Sequence, residues 1–134
     1  MTSVAAKSID AVKASMQRCL SKPEFINRFH DEFMGNTEVL EKFNNTNITM
    51  QKVILKSTLH LMLNSALGTP GVGMLRFAVS HDRNNKAIPA HLYQYWLDAM
   101  VSAVKTTDPQ FSPELESDWR KVMQPGIDFM SEMY

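Results

Sequence analysis

Met74 to Met100 reads MLRFAVSHDRNNKAIPAHLYQYWLDAM, and its interpretation governs that of the whole chain. Leu75, Phe77, Ala78 and Val79 belong to a short apolar helical segment, about Val72 to His81, that is marginal without tertiary support. A polar loop from Asp82 to Lys86 follows, and Pro89 opens a long run in which Leu92, Tyr93, Trp96, Leu97, Met100, Val101 and Val104 keep helical spacing. An imidazole in the last turn of a helix, with the chain doubling back behind it, can aim one nitrogen into the interior. That placement suits an axial donor to a planar metal cofactor. The plainer reading of His81 is a side chain that satisfies helix-end carbonyls, where the dipole favours it.

The flanking sequence is also helical. Val4, Ile9, Val12, Met16 and Leu20 predict a first amphipathic helix of roughly five turns, with Cys19 near its inner face as a small buried hydrophobe. Ser21-Lys22-Pro23-Glu24 has the form of a capping box and predicts the start of a second helix. Phe25, Phe29 and Phe33 then recur at steps of four, with His30 and Asp31 beside that stripe. After the break at Gly35-Asn36, a short piece from Glu38 to Phe43 leads to a polar corner, Asn44-Asn45-Thr46-Asn47.

From Ile48 to Leu67, Lys52, Lys56, His60 and Asn64 mark a solvated face. Gln51, Leu55, Leu59, Met62 and Ala66 mark the inner one, where Gln51 is the one polar group expected and its amide needs a partner. The helix opened by Pro89 ends near Thr106 to Pro109. Ser112 caps a last helix with Pro113 in its first turn, and Pro125-Gly126 predicts a kink within it. No strand alternation or internal repeat is present, so the fold class is all-α.

Composition narrows the class. A chain of 134 residues, 44% hydrophobic and 21% charged, suits one soluble globular domain spanning 1–134. Fourteen basic and fourteen acidic side chains leave no net field to attract nucleic acid or an anionic membrane. The single Cys19 is compatible with a reducing compartment, and charged residues interrupt any signal-peptide core, so the expected location is cytoplasmic. Ten methionines suit irregular gaps against flat aromatic surfaces.

Phe43 behind Glu41-Lys42, Gln51 with Leu55 one turn later, Leu75 to His81, and Pro89 followed by Tyr93 and Trp96 stand in an informative order. On these residues most of the chain resembles the bacterial single-domain globins and the globin domains of flavohemoglobins. The resemblance implies a globin-like fold of six or more helices enclosing one heme b, iron protoporphyrin IX. Helix 2, the distal helix and the last three helices would surround it. It implies His81 as the iron ligand, with Phe43, Leu55, Phe77 and Ile88 against the macrocycle. Tyr93, Trp96, Met100, Met123 and Ile127 would line the slot from the last two helices.

On the distal side the resemblance points to Gln51 and to Phe29-His30, which stands where Phe-Tyr is common. Either His30 or Phe29 then faces the ligand. Because the loop after His81 is slightly longer than in flavohemoglobins, no proximal Tyr–Glu relay carries over. His60 reads as solvent-exposed. His91, in the first turn after Pro89, reads the same way, though it could approach a heme propionate, as could Arg76, Arg83 or Lys86.

The function implied is binding of oxygen, nitric oxide and carbon monoxide for oxygen binding, storage or delivery, by a monomer or weak homodimer. The alternatives are a nitric oxide dioxygenase or peroxidase-like heme enzyme, or a gas sensor acting through a partner. The chain has no Gly-rich dinucleotide turn, so sustained redox turnover would need a separate reductase.

Overall fold

The computed structural model describes residues 5–42, 47–68 and 89–132. Among these residues the chain is entirely helical, in six segments: α1 Ala6–Leu20, α2 Pro23–Met34, α3 Thr37–Lys42, α4 Ile48–Ala66, α5 Ala90–Thr107 and α6 Pro113–Glu132. The sequence-predicted helix 72–81 lies outside the described residues.

Local chemistry sets most of the boundaries. The Asn36 side-chain oxygen accepts from the amides of Glu38 at 3.0 Å and Val39 at 3.2 Å, which starts α3. Asn47 does the same for α4 by accepting from the Met50 amide at 2.8 Å. Ser112 accepts from the Leu115 amide at 3.1 Å, as its position before Pro113 predicts. α4 stops where Gly68 takes φ 137°, a conformation that side chains rarely tolerate.

The expected capping box does not form. Ser21 continues α1 as its C-cap in the helical conformation, and its hydroxyl donates back to the Arg18 carbonyl at 2.7 Å. Lys22 takes the N-cap position of α2 instead, with no side-chain cap bond. The short link leaves Ser21 committed to the helix behind it. Pro125 lies inside α6, as the sequence predicts, and the helix runs through it to Glu132.

Four helices pack in a closed cycle: α2 on α5, α5 on α6, α6 on α4, and α4 on α2. α1 lies mainly against α6, with lesser contacts to α2 and α5. The faces turned inward belong to one apolar core that includes Phe25, Phe29, Leu55, Leu59, Trp96, Met100, Trp119, Met123 and Ile127. A polar clamp ties α1 to the corner between α5 and α6. There Asp108, its side chain fully buried, accepts from Ser15 at 2.6 Å and from Arg18 at 2.8 and 2.9 Å, while the Trp119 indole donates to Ser15 at 3.0 Å.

Candidate functional site

The four-step spacing of Phe25, Phe29 and Phe33 fixes the rotation of α2, because all three rings are buried. Phe29 sits 6.2 Å from the Phe25 ring and 6.5 Å from the Phe33 ring. Across the interface, the Trp96 ring of α5 meets Phe29 edge-on at 5.7 Å. Trp96 is itself held, since its indole donates to Thr58 Oγ1 at 3.2 Å and that hydroxyl donates to the Leu55 carbonyl at 2.7 Å. Phe29, Trp96 and α4 are thereby locked together.

One position beyond Phe29, His30 turns from the aromatic stripe toward α4. There His30 Nε2 lies 2.7 Å from Gln51 Oε1, with His30 8% and Gln51 6% exposed. Gln51 carries no hydrogen on Oε1, so the imidazole donates. On the other side of the ring, Nδ1 is 3.9 Å from the Asp31 carboxylate, outside hydrogen-bonding range, and that carboxylate is 83% exposed. The partner required by a glutamine on the inner stripe of α4 is therefore a histidine on α2. Leu55 follows Gln51 by one turn and is buried beside it in the core.

The other sequence-predicted residues divide in two. Tyr93, Trp96, Met100, Met123 and Ile127 are all buried on α5 and α6. His81, Phe43, Phe77 and Ile88 lie outside the described residues, as do Arg76, Arg83 and Lys86. His60 is exposed, as its solvent face predicts. His91 is exposed and pairs with Glu38 at 2.8 Å.

Thr58 and Ser65 correct one expectation, because both are buried on α4 and Gln51 is not its only inner polar group. Thr58 stands three residues after Leu55, a spacing that puts it on the same stripe. Only its pairing with Trp96 shows why a hydroxyl is tolerated there.

Tyr93 adds an unsatisfied group. Its hydroxyl is buried and has no hydrogen-bond partner among the described residues, and burial pushes its pKa to about 12. An unmet buried hydroxyl costs roughly 1–3 kcal/mol. Such an atom, a buried imidazole–amide pair and apolar side chains from α4, α5 and α6 fit the needs of a flat, largely apolar cofactor. It would find a slot between helices and a polar group at one face. Among the described residues, no group of three or more His, Cys, Asp or Glu could hold a bare metal ion, and no helix is long and apolar enough to cross a membrane.

The ring of helices around a buried His–Gln pair defines an all-α protein of the hemoglobin-like class. The chain is similar to the crystal structure of PA3967 from Pseudomonas aeruginosa PAO1, a protein described as structurally highly homologous to a human hemoglobin. The two share 30% sequence identity with a TM-score of 0.89, over 95% of this chain and 98% of that one. The chain belongs to the globin family. No family model matches it, and no curated protein does.

Proposed function

We propose that this globin holds heme b through His81 and binds oxygen, nitric oxide and carbon monoxide, for oxygen binding, storage or delivery in the cytoplasm. The supporting observation is the 2.7 Å bond between His30 and Gln51, buried within a hemoglobin-like ring of helices. His81 would hold the heme, whose ferrous iron would supply the chemistry for reversible uptake of a diatomic gas.

The chain supplies the remainder. A bond from the second ring nitrogen of His81 to a neighbouring acceptor would fix the tautomer of the donor. Leu55, Trp96, Met100, Met123 and Ile127 exclude water from the slot. Gln51 or His30 would donate to the polar end of a ligand, a contribution of roughly 1.5–3 kcal/mol for a partly charged acceptor.

Absorption spectra of the purified protein test this reading in the ferric, ferrous and ferrous carbon-monoxide states. The expected result is a heme spectrum that shifts with carbon monoxide, and its loss in His81→Ala, with recovery on addition of imidazole. Wild-type spectra in His81→Ala would refute His81 as the ligand.

A further inference from the structure

We infer that Thr58 is a positioning residue, which takes up the indole N–H of Trp96 and so keeps that donor away from a gas in the slot. This rests on the heme reading above. Trp96 Nε1 lies 3.2 Å from Thr58 Oγ1, and Thr58 Oγ1 lies 2.7 Å from the Leu55 carbonyl. Chemistry fixes the roles along this relay. An indole nitrogen only donates and a carbonyl only accepts, so the hydroxyl gives its one hydrogen to Leu55 and receives the one from Trp96.

The bond from Thr58 back to a carbonyl three residues earlier holds its χ1, which leaves an Oγ1 lone pair for the indole on α5. Thr58 is 4% and Trp96 5% exposed, so bulk water does not compete for either group.

The location matters. Thr58 follows Leu55 by three residues on the inner stripe of α4, about 4.5 Å along the axis at ~1.5 Å per residue. Leu55 is a wall of the proposed slot, so the indole N–H is tied up within about one turn of that wall. An indole has a single hydrogen to give, and here a hydroxyl holds it. Released from Thr58, the same N–H would be an unpartnered donor among Phe29, Leu55, Leu59 and Met100, members of the core whose side chains offer no acceptor. The partly negative end of bound oxygen would then draw it, because charge-assisted bonds are the stronger ones. Thr58 thus withholds a donor that would slow oxygen release, and tunes the pocket without touching the gas.

Two measurements test the assignment. The first is nitrogen-15 NMR of the purified full chain, in the ferrous carbon-monoxide form or, should it hold no heme, as purified. The indole proton of Trp96, assigned by its absence in Trp96→Phe, is expected to exchange slowly with solvent. It should shift in Thr58→Val, which keeps the shape and removes the hydroxyl, and stay near its wild-type position in Thr58→Ser. An unchanged resonance in Thr58→Val overturns the proposal. Rapid exchange in the wild type does so too, whether or not any variant folds.

The second is oxygen and carbon-monoxide release in Thr58→Val, Thr58→Ser, Trp96→Phe and the Thr58→Val/Trp96→Phe double variant. Thr58→Val should slow oxygen release about tenfold, the low end for one donor to a partly charged acceptor, because packing on Phe29 limits how far the ring can turn. Carbon-monoxide release should change less. Thr58→Ser should restore the wild-type rate, and in the Trp96→Phe background Thr58→Val should add nothing. If Thr58→Val leaves oxygen release unchanged or speeds it, or slows it equally in the Trp96→Phe background, the inference fails. If the chain takes up no heme while the Trp96 proton still shifts in Thr58→Val, the heme reading is overturned and the hold of Thr58 on Trp96 stands.

Discussion

Asp108 is buried and charged, and its environment explains why. Burial alone would raise its pKa, but donors from Arg18, Ser15 and the Gln110 amide outweigh that and hold the carboxyl below its ordinary range. A carboxyl with a lowered folded-state pKa stabilises the fold above the unfolded value, about 3.9, and the contribution is lost as pH falls through the folded one. The melting temperature should therefore decline on acidification below about pH 4 more steeply in the wild type than in Asp108→Asn. Parallel acid profiles would show that the clamp does not set acid stability. Asp108→Ala should cost about 3 kcal/mol in chemical denaturation, the low end for a broken buried pair, since Arg18 is 27% exposed and water replaces part of what it loses. The neighbouring Cys19 thiol is fully buried and pushed up to about 11, chiefly by burial. It should resist alkylation in the native protein and react only as the chain unfolds, so rapid labelling under native conditions would contradict its burial. None of this clamp is legible in the sequence. Ser15 and Asp108 stand 93 positions apart, and each alone reads as an ordinary polar residue near a helix.

At the scale of the helices, sequence reading succeeds where the signal is local. Four-step aromatic spacing, Pro89, and the Ser112-Pro113 pair place α2, α5 and α6 nearly as observed, because periodicity and capping act within a few residues. It fails at Ser21, where two helix ends compete for one hydroxyl and the first helix takes it. It also misses why α6 carries Gly126 beside Pro125. A Cβ at Gly126 would lie 3.2 Å from the Met62 backbone Cα and would collide with the Met62 thioether, so the missing side chain lets α6 approach α4 closely. Gly126→Ala would gain up to about 1 kcal/mol in helix propensity. Overpacking costs typically 1–3 kcal/mol, and only the thioether, not the backbone, can move away. The variant is expected to be net destabilised by about 1 kcal/mol in urea denaturation, the difference of those two effects. Stabilisation would mean that the α4–α6 contact has more slack than its geometry shows.

For the molecule as a whole, the site was legible only in outline. Sequence pattern put Gln51 on an inner face and His30 beside one, but the bond joining them spans 21 positions and depends on how α2 settles against α4. The Phe stripe shows which face of α2 turns inward, but that Phe29 meets Trp96 there is a contact between helices that no local pattern encodes. The same ring of helices sets the last expectation. Leu55, Trp96, Met100, Met123 and Ile127 come from α4, α5 and α6, and a cofactor held among them would complete the core from inside. Interiors are close-packed, and a slot vacated by a large planar group leaves side chains without contacts they cannot regain by small shifts. The buried Tyr93 hydroxyl, without a hydrogen-bond partner among the described residues, adds a polar cost on the same wall. A group that binds only the folded chain also stabilises it by mass action, by about 4 kcal/mol when its free concentration is a thousandfold above Kd. Heme-free protein should therefore lose helical circular dichroism and melt lower than the heme-loaded form by roughly ten degrees or more, given a few degrees per kcal/mol for a domain of this size. Equal melting temperatures would show that this core closes by itself, and that heme, if taken up, binds outside it.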